Sequence, residues 1–259
     1  YKIRLDEEKD VAALFRFYGE KVGLKGEVNY DFLALVSRGR VSGADVQAIC
    51  NDAYCRNGEK ATTDDLEESL KRVLGEALGD DIPENKAAAY RFAVHEAGHA
   101  MMMEKHRKFF SFYRANYYKG GALTHCFLPS GMEGDVTFAR EKARMEVALG
   151  GYYAELLLLK EGSAGAYEDL RRVEDISESL VRKYGYYGPD YRRSDEWKPS
   201  AAAQSIGCRL RVKAVRKASR ATKSYLRKKK KEIAALASLM CEKGYLKEED
   251  LRRVLAKGN

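Results

Sequence analysis

Residues 92–101 read FAVHEAGHAM, and inside them His95-Glu96-Ala97-Gly98-His99 forms an H-E-x-x-H pattern in the most apolar helical stretch of the chain. From Pro83, a suitable first helical residue after Asp81, to about Lys105, apolar side chains such as Ala88, Tyr90, Val94, Ala97 and Met101 recur nearly all round the helix. That pattern predicts a buried helix. Two histidines four residues apart share one helical face, so both imidazoles reach a single Zn²⁺, and the Glu between them stands beside the water to be deprotonated. The plainer alternative is a core helix with hydrogen-bonded histidines and a paired Glu. It must bury three polar side chains in an apolar helix, each costing several kcal/mol if unpaired. Gly98 costs about 1 kcal/mol in a helix interior, which predicts close approach of another element there.

A catalytic zinc site takes three protein ligands and leaves a further position open. No third histidine follows in the H-x-x-G-x-x-H order, and His106 and His125 lack supporting spacing. The third ligand is then expected to be a carboxylate from a later helix. Glu155, Glu168, Asp169, Glu174 and Asp175 are candidates that spacing alone does not separate.

The chain's 259 residues allow one large domain or two modest ones. With 45% hydrophobic and 33% charged residues and only 4 Pro, collagen, low-complexity disorder and a membrane-embedded bundle are excluded, and a soluble helix-rich protein is expected. Residues 209–231 hold twelve Lys or Arg and no acid, and without them the net charge of +8 becomes −4. The basic balance therefore reports one segment. Five cysteines without a C-x-x-C pair argue against a disulfide framework or a cysteine zinc site and imply a reducing compartment, cytoplasm or organelle matrix or stroma. No run approaches the roughly 18 apolar residues of a spanning helix. The chain opens at Tyr1 without Met and shows no signal peptide, which fits a piece of something longer.

Residues 1–80 read as a small all-α unit: helices over Asp10 to Tyr18 and Tyr30 to Val36, a break at Arg38-Gly39-Arg40, a helix opened by Ser42 and Asp45, and another over Asp64 to Leu74. The remainder, 81–259, reads as a helical domain with a small β-hairpin or sheet. Its hairpin spans Phe110 to Leu128 with a Gly120-Gly121 turn. Helices follow over Phe138 to Lys160, broken at Gly150-Gly151, over Tyr167 to Lys183, then over Ala201 to Arg227, Ile233 to Glu242 and Glu248 to Leu255. The strand Ala122, Leu123, Thr124, His125 and onward is a candidate to pair with an extended substrate, with an ordinary core hairpin as the alternative.

FAVHEAGHAM resembles the zinc-site helix of the FtsH-type ATP-dependent zinc metalloproteases of the AAA+ class. In the same order, MEVALGGYYAELL (145–157) resembles their Gly-Arg-Ala-Ala-Glu-Glu helix, and GAYEDL (165–170) their Gly-Ala-Ser-x-Asp segment. VSGADVQAICNDA (41–53) and DDLEESLKRVL (64–74) are similar to their ATPase lid, and IAALASLMCEKGYLKEEDLRRVL to their C-terminal helices.

The resemblance implies a mainly α fold, with an AAA+ lid-like domain at 1–80 and an FtsH-like zinc peptidase domain at 81–259. It implies one Zn²⁺ per chain held by His95, His99 and Asp169, with Glu96 as catalytic base. It further implies proteolysis of unfolded or misfolded polypeptides for protein quality control, a homo- or hetero-hexamer, and an AAA+ ATPase in cis or in trans. No Gly is followed by Lys, so the Walker A loop is absent and ATP is expected only for a longer form with an ATPase module; such a form with the family's N-terminal anchor would be membrane-associated. Gly151-Tyr152-Tyr153-Ala154-Glu155-Leu156 departs from the family's helix. Two readings compete: a catalytically inactive scaffold subunit, and nucleic-acid or anionic-lipid binding through the basic helix 209–231. Against the second, Leu210, Ala214, Ala218, Ala221 and Tyr225 keep an apolar stripe, no base-reading motif accompanies the charge, and no specific nucleic-acid partner is expected.

Overall fold

The computed structural model describes residues 8–37, 41–74, 82–118, 121–127, 136–191 and 200–257 of a mainly α-helical chain. The expected break at Arg38-Gly39-Arg40, Gly75 to Asp81, Gly120 and residues 192–199 lie outside them. The chain divides into two compact units, Tyr1–Leu78 and Gly79–Asn259.

In the first unit, four helices, α1 (Glu8–Val22), α2 (Tyr30–Ser37), α3 (Gly43–Asn57) and α4 (Thr63–Leu74), enclose Phe15, Phe32, Leu33, Ile49, Leu66 and Leu70. Local chemistry fixes their ends. The Ser42 hydroxyl accepts from the Asp45 amide and the Asp45 carboxylate accepts from the Ser42 amide at 2.7 Å, a reciprocal cap that satisfies two otherwise orphaned donors. Helix α3 ends at Gly58, whose φ of +67° is costly for a residue with a Cβ.

The second unit is built round α5 (Lys86–Lys105), which carries the H-E-x-x-H residues. Its start lies three residues beyond Pro83, because Asn85 provides the cap: its side-chain oxygen accepts from the amides of Ala87 and Ala88 at 3.0 and 3.1 Å. After it come β1 (Ser111–Tyr118), β2 (Gly121–Phe127), α6 (Phe138–Leu158), α7 (Tyr167–Glu178), α8 (Ala201–Lys228), α9 (Lys230–Lys243), β3 (Tyr245–Lys247) and α10 (Glu248–Lys257). Helix α7 runs on into one π-helical turn at Ser179–Lys183. The strands form an antiparallel sheet of order β2-β1-β3, so the expected hairpin gains a third strand from the far end of the chain.

Helix α5 packs against α6, α9, β1 and β2. Its Val94, Ala97, Met101 and Met102 share one core with Ile233, Leu236 and Met240 of α9 and with Tyr117 of β1. Tyr117 is fully buried and its hydroxyl donates to the Ala89 carbonyl at 2.9 Å, which removes the cost of burying it. Helix α8 buries Ala214, Ala218, Thr222 and Leu226 while Lys213, Arg216, Lys217 and Arg220 are exposed, so its charge lies opposite its packing face.

Contrary to the expected break at Gly150-Gly151, α6 is continuous. The glycines are required by what lies across the interface. A Cβ on Gly98 would stand 2.5 Å from the Gly150 carbonyl oxygen and 2.6 Å from the Ala154 Cβ, and one on Gly150 would stand 2.7 Å from the Gly98 carbonyl oxygen. A Cβ on Gly151 would fall against the His95 ring. Helix propensity is overridden by the close approach of two backbones.

Gly98→Ala is therefore expected to destabilise the second unit by about 1–3 kcal/mol despite the better helix propensity of Ala, because the obstructing atoms are Gly150 main chain and the Ala154 Cβ, which cannot rotate aside. Gly43→Ala, whose added methyl meets only Leu14 at 3.6 Å, should lose nothing. Urea unfolding of both variants checks the contrast, and equal stability of Gly98→Ala and the parent chain would refute the packing argument.

Candidate metal centre

Successive turns of α5 place His95 and His99 on one face, and the first turn of α7 brings Asp169 to them. His95 Nε2 and His99 Nε2 each lie 3.0 Å from Asp169 Oδ2 and 3.0 Å from one another. All three residues are buried, at 8–9% exposure. No side chain caps the start of α7 at Ala166, and the Asp169 carboxylate is turned to the histidines.

The outward nitrogens are also held. His95 Nδ1 lies 2.6 Å from Glu155 Oε1, and His99 Nδ1 lies 2.9 Å from the Val147 carbonyl oxygen, both acceptors on α6. Each Nδ1 is thus the donor, and each ring presents its Nε2 inward to the Asp169 carboxylate. Three potential ligand atoms converge on one point in a buried setting. Burial lowers the affinity of His95 for a proton, but hydrogen bonds to Asp169 and Glu155 outweigh it and raise its pKa to about 10. Burial raises Asp169, and hydrogen bonds from His95 and His99 outweigh it and hold the carboxyl well below the usual carboxylate range. Electrostatically, the cluster calls for positive charge at its centre. Two imidazoles and a carboxylate are the donor types a zinc ion takes, and a carboxylate behind one imidazole is the outer partner that fixes its orientation.

Of the five candidate carboxylates, Asp169 meets the histidines and Glu155 stands behind His95. Ser163 donates to Glu155 Oε1 at 3.1 Å, and Arg91 lies 3.8 Å from Oε2. Glu168 lines the neighbouring cavity, whereas Glu174 and Asp175 are exposed on α7 outside its lining. His106 is elsewhere, against Glu146 at 2.9 Å. The cavity, about 630 Å³, is lined by Glu96, both histidines and Asp169, with Phe92, Met103, Phe110, Val147 and Ile176 supplying apolar wall.

Ala122, Leu123 and Thr124 of β2 line the same cavity, and Glu96 is 5% exposed with its Oε2 accepting from the Thr124 hydroxyl at 2.6 Å. His125 belongs to β2, opposite Arg114 of β1; its side chain lies outside what is described. β2 forms one edge of the sheet among the described residues. Two contacts escaped the sequence reading. Glu155 follows Gly151 by one helical turn, so a glycine inside a helix with an acid one turn on was an available signal. Thr124 is a polar residue between Ala122 and Cys126 on the strand face that packs on the core.

Peptidase family M41 matches residues 83–254, well over half of the chain. The ATP-dependent zinc metalloprotease FtsH 3 of Sphaerobacter thermophilus is 27% identical over 190 residues, covering 71% of this chain and 39% of that protein. FTSH 11, chloroplastic/mitochondrial, of Arabidopsis thaliana is 28% identical over 225 residues, covering 83% of this chain and 28% of its own. FTSH 10, mitochondrial, of the same plant is 26% identical over 259 aligned residues, covering 93% and 32%. The chain spans no more than about two fifths of the length of these relatives. With the match running from the residues before the H-E-x-x-H helix to the last helix, the chain belongs to peptidase family M41, the FtsH-type zinc metalloproteases.

Proposed function

We propose that this chain is a zinc endopeptidase that hydrolyses peptide bonds in unfolded polypeptides. The observation that carries the reading is the convergence of His95 Nε2, His99 Nε2 and Asp169 Oδ2 at 3.0 Å beside Glu96 in an open cavity. A zinc ion held by those three atoms supplies Lewis acidity, acidifying water and polarising the scissile carbonyl. The chain's own residues do the rest. Glu155 and the Val147 carbonyl fix both imidazoles, so their Nε2 lone pairs stay aimed at one point. Glu96 takes the proton of the attacking water on its carboxylate and returns it to the leaving amine nitrogen. The open edge of β2 pairs with the backbone of an extended substrate, which gives affinity with little demand on sequence and suits unfolded chains.

The relatives are named as ATP-dependent and are far longer. In the same reading, the first unit is an AAA+ lid, the second the peptidase domain, and unfolding work comes from an AAA+ module in cis or in trans within a hexamer. Neither ATP dependence nor assembly is needed for the hydrolysis described here.

Glu96→Gln should keep about one zinc per chain and lose at least about a hundredfold of casein hydrolysis, since the amide leaves both imidazoles in place but accepts no proton. Metal analysis beside a fluorescent casein assay reads both, and a fully active Glu96→Gln would remove Glu96 from the chemistry. Wild-type protein that binds zinc without cleaving casein would support the scaffold reading. Asp169→Asn should weaken zinc binding by at least about tenfold, because a neutral amide is a poor ligand for a dication. Unchanged affinity there, measured by competition with a chelator, would exclude Asp169 as ligand.

Since the metal-free His95 is protonated below about pH 10, zinc must displace its proton at neutral pH. Affinity should then rise about tenfold per pH unit between pH 6 and 9, with about one proton released per zinc. Calorimetry in buffers of different ionisation enthalpy counts that proton, and pH-independent binding would contradict the assignment.

A further inference from the structure

The Thr124 hydroxyl does more than line the cavity. It donates to Glu96 Oε2 at 2.6 Å, the length of a charge-assisted bond to a carboxylate, and among the described residues no other hydrogen bond reaches that side chain. Its neighbours on the same strand face, Ala122 and Cys126, are apolar contacts of the core, while the Thr124 hydroxyl turns towards α5. A single hydroxyl has a single proton, and here it is spent on Glu96. Threonine is also stiff at χ1, which makes it a clamp with little play.

We infer that Thr124 is the positioning residue for Glu96: it fixes the rotamer in which the carboxylate meets the attacking water. This rests on the zinc-peptidase reading above and deepens it. Thr124 stands opposite Ala115 of β1 in the sheet. The far side of β2 is, among the described residues, the sheet edge offered to substrate. Base and substrate are thereby referred to one strand, so the carboxylate is placed relative to the scissile bond by the element that aligns the peptide. A carboxylate free to swing about χ angles would miss that geometry for much of the time, and small misplacements of reacting groups cost large factors in rate.

Thr124→Val replaces the hydroxyl by a methyl of similar size, and Thr124→Ser keeps the hydroxyl. In the full chain, Thr124→Val should retain about one zinc and a KM within about twofold on an unstructured fluorogenic peptide, while kcat falls about 10- to 100-fold. Thr124→Ser should restore kcat to within about threefold of the parent. A readout independent of turnover is the urea-unfolding cycle of Thr124→Val, Glu96→Ala and the double variant, whose shift should be smaller than the sum of the single shifts. An unchanged kcat in Thr124→Val, equal losses in the Val and Ser variants, or a raised KM at unchanged kcat overturns the assignment. If Thr124→Val loses zinc, the cycle and the Ser variant decide, and if it unfolds, the Ser variant alone decides: additive shifts, or a Ser variant as slow as Glu96→Gln, overturn it. The two failures are separable. A wild-type chain that binds zinc and cleaves nothing overturns the peptidase reading and this role with it. Wild-type turnover with additive unfolding shifts overturns the Thr124 role alone.

Discussion

His95 is held between two carboxylates in a buried setting, with Glu155 on one ring nitrogen at 2.6 Å and Asp169 on the other at 3.0 Å. Much of the second unit serves that arrangement. Glu155 reaches the ring because α5 and α6 approach to the distance allowed by Gly98 and Gly150, and the ring has room because Gly151 carries no side chain. Asp169 reaches it because α7 begins where the 3₁₀ turn Ala164–Ala166 delivers the chain to the mouth of the cavity. Remove the close approach and the imidazole loses its orientation before any ligand is changed.

The same arrangement suits the proposed metal role. Two carboxylates around one imidazole favour positive charge, which raises His95 and depresses Asp169. A proton is a poor solution, since it lies on one line between two atoms while His99 Nε2 also points inward at 3.0 Å. A divalent ion accepts all three lone pairs at once. Exchange of one charge type for the other leaves the surrounding packing untouched, which is why a site of this kind can be preformed in the folded chain.

The sequence made the two histidines and Glu96 readable, because a four-residue spacing on an apolar helix has one geometric meaning. It did not separate Asp169 from four other acids: which acid meets the histidines depends on how α7 packs, a tertiary fact, and only the family resemblance singled it out. Gly150-Gly151 was misread as a break for a related reason. Local propensity counts what a glycine costs in a helix and is blind to the backbone across the interface. β3 escaped because three residues, Tyr245–Lys247, carry too little alternation to register, and they become a strand only through their pairing with β1. The Thr124 contact was open to a reading of side-chain alternation along β2, yet its partner lies 28 residues away on another element.

The departure of α6 from its family's pattern now has a physical reading. Within Gly151-Tyr152-Tyr153-Ala154-Glu155-Leu156, the positions that agree with the FtsH-type segment are Gly151, Ala154 and Glu155, which share one helical face at spacings of three and four. Those three meet α5: Gly151 against the His95 ring, Ala154 beside Gly98 and Glu155 on His95 Nδ1. The replaced positions turn elsewhere. Tyr152 lies beside Gly162, Tyr153 lies under the Lys223 ammonium at 4.6 Å, and Leu156 is only half-buried. Divergence has therefore fallen on faces that pack against the second unit's own loops and α8, and the face that meets His95 and Gly98 keeps its residues.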